Sequence, residues 1–104
     1  MAQFDVYENP NPDTKKTVPY LLDVQANLLE DLATHVVVPL VPLSIMGKAA
    51  RHLNPVFKIK KTNIVMSTAE LAGVPVQILG EKVTSLSDNR NEIIAALDFL
   101  FAGY

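Results

Sequence analysis

The chain has 104 residues, no cysteine and a formal net charge of −2, with 49% hydrophobic and 19% charged residues. That length suits a single domain with one modest core, and the composition excludes a disordered chain. Without cysteine there is no disulfide, no thiolate zinc site and no cysteine nucleophile, which fits a reducing cytosol. Nine basic residues against eleven acidic ones offer little to neutralise phosphates, so direct nucleic-acid binding is not expected. Met1 to Asp5 lacks the basic start and apolar run of a signal peptide, and the oily stretches are broken by Pro39, Pro42 and Gly47 or carry Asp98. A cytoplasmic protein that spans no membrane is the expectation. A core this small leaves stability marginal, and burial in a dimer interface would add to it.

Before Ser87 the chain reads as short strands separated by turn residues. Gln3-Phe4-Asp5-Val6-Tyr7 alternates polar and apolar residues, the period of a half-buried strand. Glu8 to Asp13 contains Pro10 and Pro12 and breaks it into a loop that runs on to Lys16. Tyr20 to Val24 resumes the apolar pattern, and Val36 to Leu40 is β-branched, with Pro39 pointing to an edge or bulge position. Val56 to Lys60 alternates with a slip of phase that suggests a bulge. Lys61-Thr62-Asn63 is expected to be the hairpin turn into Ile64-Val65-Met66, and Val74 to Leu79 to be a further strand ended by Gly80. The spacing predicts an antiparallel barrel or sandwich.

The last element is a helix. Ser87 is expected to be its N-cap, with Asp88 and Glu92 in the first turns, where carboxylates complement the helix dipole. Ile93, Ile94, Leu97, Leu100 and Phe101 recur at helical spacing and form one apolar face, and Gly103 supplies the stop. Phe99 lies roughly 120° from that face, beside Ala95, Asp98 and Ala102, where it either meets a neighbouring strand or dimer partner or serves a docking surface. Phe101 lies at the edge of the apolar face and also reads as core.

No catalytic constellation appears. His35 and His52 lack metal-ligand spacing, and each reads as an exposed or turn histidine. Glu30 and Asp31 are adjacent and point apart. No glycine-rich loop is present to cradle a phosphate or cofactor, and Ser67 and Ser85 have no base in context. Lys15-Lys16 and Lys58, Lys60, Lys61 read as a solvated loop and strand edge. Neither an enzyme nor a bound metal or cofactor is expected.

In order and spacing, Gln3-Phe4 with Val6-Tyr7, Asp23-Val24-Gln25, Val38-Pro39-Leu40, Pro55-Val56, Ala72-Gly73-Val74-Pro75-Val76, Ile78-Leu79-Gly80-Glu81, Leu86-Ser87 and Asn91-Glu92-Ile93 resemble the CcdB family of toxins nearly end to end. The resemblance implies a mainly β fold, a small partly open antiparallel barrel of the Src-homology-3-like CcdB/Kid/MazF type with one C-terminal helix, and a twofold homodimer. It also implies a function: binding the A subunit of DNA gyrase, trapping the cleaved-DNA complex, being neutralised by a cognate antitoxin and repressing its operon together with it.

Positions matching the family's gyrase contacts are Ala26, Leu28 and Leu29, then Asp98, Phe101, Ala102, Gly103 and Tyr104. The region matching its antitoxin contacts is the loop Glu8, Asn9, Asn11, Asp13, Lys15 and Lys16. The chain departs from the family at its end, where Ala102 takes the place of a large aromatic and Tyr104 that of an aliphatic residue. Ala26 and Asp98 also differ in chemistry from the matched family residues. These departures keep open a homologue that binds antitoxin without poisoning gyrase. A ribonuclease of the MazF/Kid type, working through Arg51 and His52, is a further alternative.

Overall fold

The computed structural model describes residues 1–103. Its longest strand is β3 (Thr34–Pro42), and the other strands assemble around it: β1 (Asp5–Glu8), β2 (Tyr20–Asp23), β4 (Val56–Ile59), β5 (Thr62–Met66), β6 (Ala72–Pro75) and β7 (Lys82–Ser85). The sheet order is β4-β5-β3-β2-β1-β7, every pairing is antiparallel, and β6 also pairs with β3. Closed only in part, this sheet is the curled half-barrel expected. A one-turn helix, α1 (Leu43–Met46), follows β3, and α2 (Arg90–Ala102) closes the chain.

Register explains the core. Val6, Leu22 and Val38 face one another across β1, β2 and β3, and all three are fully buried. Leu40, Ile64 and Met66 extend that face, and α2 lies on it through Ile93 and Ala96, both inaccessible to solvent. Burying an isoleucine side chain contributes about 1.5–3 kcal/mol, so this contact fixes the helix on the sheet. Alternation was expected to leave β1 half-buried. Instead Phe4, Asp5, Val6 and Tyr7 are all buried, because the second face of β1, β2 and β3 is covered as well.

Pro39 sits in the interior of the sheet, not at an edge or bulge. Its carbonyl accepts the Ser67 N–H at 2.9 Å, so its nitrogen faces the same side. There β3 changes partner, from β6 at Val37 to β5 at Leu40, and no ladder bond is lost to the missing donor. β4 alternates without a bulge: Phe57 and Ile59 point inward and Val56 and Lys58 outward. The irregularity in register lies between β1 and β7, at Val6/Tyr7.

Three turn assignments change. The β4–β5 turn is Lys60-Lys61, both in the left-handed region at φ 49° and 66°, while Thr62 and Asn63 pair with Ile59 and Lys58. Val76–Ile78 is a 3₁₀ turn, not strand, so β6 ends at Pro75. Ser87 caps nothing: Ser87–Asn89 is itself a 3₁₀ turn, and α2 begins at Arg90 without a side-chain cap. At the other end Gly103 stops the helix as expected. It adopts φ 79°, and its N–H donates to the Phe99 carbonyl at 2.9 Å.

Candidate functional site

The exposed end of α2 is the first feature. Ile94 and Leu97 pack against the core, but Phe101 is 74% exposed. Rotation about the axis does not explain this, since residues seven apart share a helix face to within about 20° and Ile94 is seven before Phe101. Phe101, at the C-terminal end of the helix, is therefore not a core residue. Asp98 stands three residues before Phe101 and four before Ala102, spacings that make surface neighbours of all three, and all three are exposed. Asp98 also lies in the last turns of a helix with no basic residue there. A carboxylate at that end opposes the helix dipole.

Phe99 points elsewhere and reaches a loop, not a strand. It is half-buried, with its ring centroid 6.1 Å from that of His52. His52, Pro55, Glu92, Ala95 and Phe99 line a groove of about 490 Å³. His52 is exposed as expected, and it holds a left-handed backbone at φ 70°.

The second feature is the turn after β2. Residues 26–34 are exposed throughout, and the 3₁₀ turn Asn27–Leu29 buries nothing. Leu28 is 97% exposed, Leu32 53% and Leu29 50%. No residue of the turn is buried, and polar straps position it. Gln25 accepts the Val36 N–H on its Oε1 and donates from Nε2 to the Leu29 carbonyl. Asn27 Oδ1 accepts the Gln3 N–H at 2.7 Å, and Gln3 Oε1 in turn accepts from Arg90 at 3.2 Å.

Beneath the turn lies His35, which is 1% exposed and so neither exposed nor a turn residue. Its Nδ1 is 2.9 Å from Asp23 Oδ2 and its Nε2 is 2.9 Å from the Glu30 carbonyl. Burial pushes the ring toward its neutral form. The Glu30 carbonyl and the Asp23 carboxylate outweigh that and raise the His35 pKa above its ordinary value. Asp5 and Tyr7 extend the polar cluster: the Tyr7 hydroxyl donates to Asp5 at 3.3 Å, and Lys82 pairs with Asp5 at 3.3 Å. Burial, aided by the Asp5 charge, pushes the Tyr7 hydroxyl up to about 12.

The third feature is the loop after β1. Asn9 is 7% exposed and fully engaged: Nδ2 donates to Thr14 Oγ1 and the Val18 carbonyl, and Oδ1 accepts the Asn11 N–H. It therefore braces the loop from inside, and it also lines the groove beside it. Glu8 is half-buried, and Asn11, Asp13, Lys15 and Lys16 are exposed. Beside them Pro10, Pro12, Val18, Leu21, Val74 and Ile78 line an apolar groove of about 560 Å³. Gly80 packs tightly on Glu8, since a Cβ there would stand 2.8 Å from the Glu8 carbonyl oxygen.

A family model described as CcdB protein matches residues 3–103. The chain belongs to the CcdB family. Its fold is similar to that of an endoribonuclease solved in complex with its cognate antitoxin from a Mycobacterial species. That match has 17% sequence identity and a TM-score of 0.73, covering 97% of this chain and 94% of the other. At that identity the match speaks to fold alone.

Of the positions matched to CcdB gyrase contacts, Ala26, Leu28, Leu29, Asp98, Phe101, Ala102 and Gly103 are all exposed, while Tyr104 lies outside the described residues. They fall in two segments of this chain, the turn after β2 and the end of α2. Contacts through Gln3 tie the turn to Arg90, at the start of α2, about 18 Å along the helix axis from Ala102. Among the described residues, no hydrogen bond joins the Ala26–Leu29 segment to the Asp98–Gly103 segment. Sequence reasoning missed Gln25 and the Asp23–His35 pair, although Asp23 and Gln25 both stand in the family motif. The signal for His35 is the apolar strand around it, Val36-Val37-Val38: a histidine entering such a run is buried and needs a partner.

Proposed function

We propose that this chain is the toxin of a toxin–antitoxin pair, acting by docking on the A subunit of DNA gyrase and trapping the cleaved-DNA complex without an active site of its own. The observation that carries this reading is Phe101, 74% exposed beside Asp98 and Ala102 at the end of α2 in a CcdB family member. An aromatic anchor seated in a partner's pocket contributes about 2 kcal/mol or more to an interface. Ala102 supplies no such area, and Phe101 supplies the ring from the adjacent position. Leu28 and Leu29 provide the second apolar contact. Within one chain no hydrogen bond among the described residues joins the two segments, and a homodimer would present two copies of each. The cognate antitoxin takes the groove beside the Glu8–Lys16 loop, and toxin and antitoxin together repress their operon in the cytoplasm. The similarity to a protein solved with its antitoxin supports that partner class, and no helix among the described residues is long and apolar enough to cross a membrane.

The test is a cleavage assay with gyrase from the source organism. Added protein should accumulate cleaved DNA, and Phe101→Ala should raise the concentration required by about thirtyfold while leaving the circular dichroism spectrum unchanged. Normal supercoiling with no trapped complex would sink the proposal. Two other readings have specific observations behind them. Ala102 favours a chain that binds antitoxin only, in which case Ala102→Trp creates a toxicity that the parent chain lacks. The groove holding His52 and Glu92, next to Arg51, favours a ribonuclease; RNA cut by the parent chain but not by His52→Ala would select it.

A further inference from the structure

Both atoms facing the His35 ring can only accept. Asp23 Oδ2, at 2.9 Å from Nδ1, is a carboxylate oxygen, and the Glu30 oxygen, at 2.9 Å from Nε2, is a peptide carbonyl. A neutral imidazole carries one N–H, so in that form one contact sets lone pair against lone pair. With Asp23 ionised, both contacts are hydrogen bonds only when the ring is the imidazolium. When it loses a proton, the remaining one stays on Nδ1, facing the charged and therefore stronger acceptor, and the contact to Glu30 turns repulsive.

Glu30 lies between Leu29 and Leu32, in a turn whose residues are all exposed. We propose that His35 is a positioning residue: doubly protonated, it ties the apolar Leu28–Leu32 turn to β2 through Glu30 and Asp23, and loss of one proton releases the Glu30 end. The consequence for partner binding rests on the docking role proposed above; the strap itself does not. Gln25 and Asn27 keep their own bonds, so the turn loosens from one side instead of unfolding.

The charges around the ring set the direction. From β2 comes Asp23. The Met1 ammonium acts against protonation, and β6, which meets His35 at Val74, carries no ionisable group. Asp5, Tyr7 and Lys82 lie on β1 and β7 and pair with one another. The side chains of Glu30 and Asp31 are on the exposed turn. Because the folded pKa is raised, the strap's contribution is complete below the ordinary histidine value of about 6.5 and is lost as pH climbs through the folded value.

The experiment needs no partner. Between about pH 5 and 9, the His35 ring resonances are titrated by NMR while protection factors are measured for the amides of the turn and of α2. Protection of Leu29 and Leu32, whose N–H groups bond within the turn, should fall about tenfold or more with the midpoint of the ring, while α2 stays constant. His35→Gln, with no proton to lose in this range, should show pH-independent protection in the turn. Turn amides indifferent to a ring that does titrate, or a ring that titrates below about pH 6.5, overturn the proposal. A gyrase titration across the same range then separates the two ideas. If the turn loosens with His35 and gyrase binding does not change, the strap stands and the turn's docking role fails.

Discussion

The two exposed apolar surfaces proposed to meet a partner are held in opposite ways. The Leu28–Leu32 turn has no core beneath it and depends on side-chain hydrogen bonds from Gln25, Asn27 and His35. Phe101 extends from a helix whose backbone bonds are internal and whose base is fixed by Ile93 and Ala96. Single polar side chains, and the pH, therefore govern the first surface, whereas the second answers to apolar burial and to the backbone of its last turn. The same area of exposed leucine or phenylalanine can thus be adjustable in one place and rigid in another.

Asp23→Ala is the strongest way to break that contrast. It removes the acceptor of His35 and also that of the Gln25 N–H, which Asp23 Oδ1 accepts at 2.9 Å. Breaking a buried ion pair costs about 3–5 kcal/mol. Here the loss should fall at the low end, about 3 kcal/mol, because His35 can shed its proton and avoid a stranded charge. Urea unfolding measures it. The prediction fails if stability drops by less than about 1 kcal/mol, the worth of an ordinary hydrogen bond.

Much of the helix end was legible in the sequence. The 3.6-residue period and Gly103 located it, and Asp98 and Ala102 fell on its outer side. Phe101 also read as core because periodicity gives the face of a residue and not how deeply each turn of the helix is buried. The turn was less legible. Leu28 and Leu29 came from the family match alone, since an exposed leucine looks like a buried one in composition. His35 read as exposed because the acceptor that makes its burial tolerable, Asp23, lies twelve residues away and meets it only after β2 and β3 align. The β4–β5 turn lies earlier than expected, at Lys60-Lys61 and not Lys61 to Asn63, for a related reason. Asn63 looks like a turn former, while Lys60 and Lys61 hold left-handed conformations that lysine disfavours. The fold class depends on many strands and tolerates such errors, and so it was readable throughout.

Gly103→Ala sharpens the comparison from the helix side. Gly103 has no atom within 4 Å of where a Cβ would be, so the substitution tests backbone conformation alone. At φ 79° an alanine costs about 1 kcal/mol. The cost should appear as fraying of the turn that carries Phe101, seen as reduced protection of the Gly103-equivalent amide bonded to Phe99, with no change at the Leu28–Leu32 turn. Fraying at both places would mean that the two surfaces are coupled.

The smallest effect, and the one that separates folding from binding most cleanly, belongs to Asp98→Asn. The carboxylate sits where the helix dipole disfavours it, with no basic neighbour in the last turn to offset the cost. Removing the charge should stabilise the protein by about 0.3–1 kcal/mol, an effect that salt screens. If Asp98 serves only the fold, nothing is lost. If it pairs with a cation on the partner, gyrase binding weakens while stability rises, and those opposite signs are a result that damage to the fold cannot produce. Thermal unfolding and a gyrase titration of the same variant, each at low and high salt, decide it. Equal stability and equal binding would remove Asp98 from the docking surface and leave Phe101 to act without it.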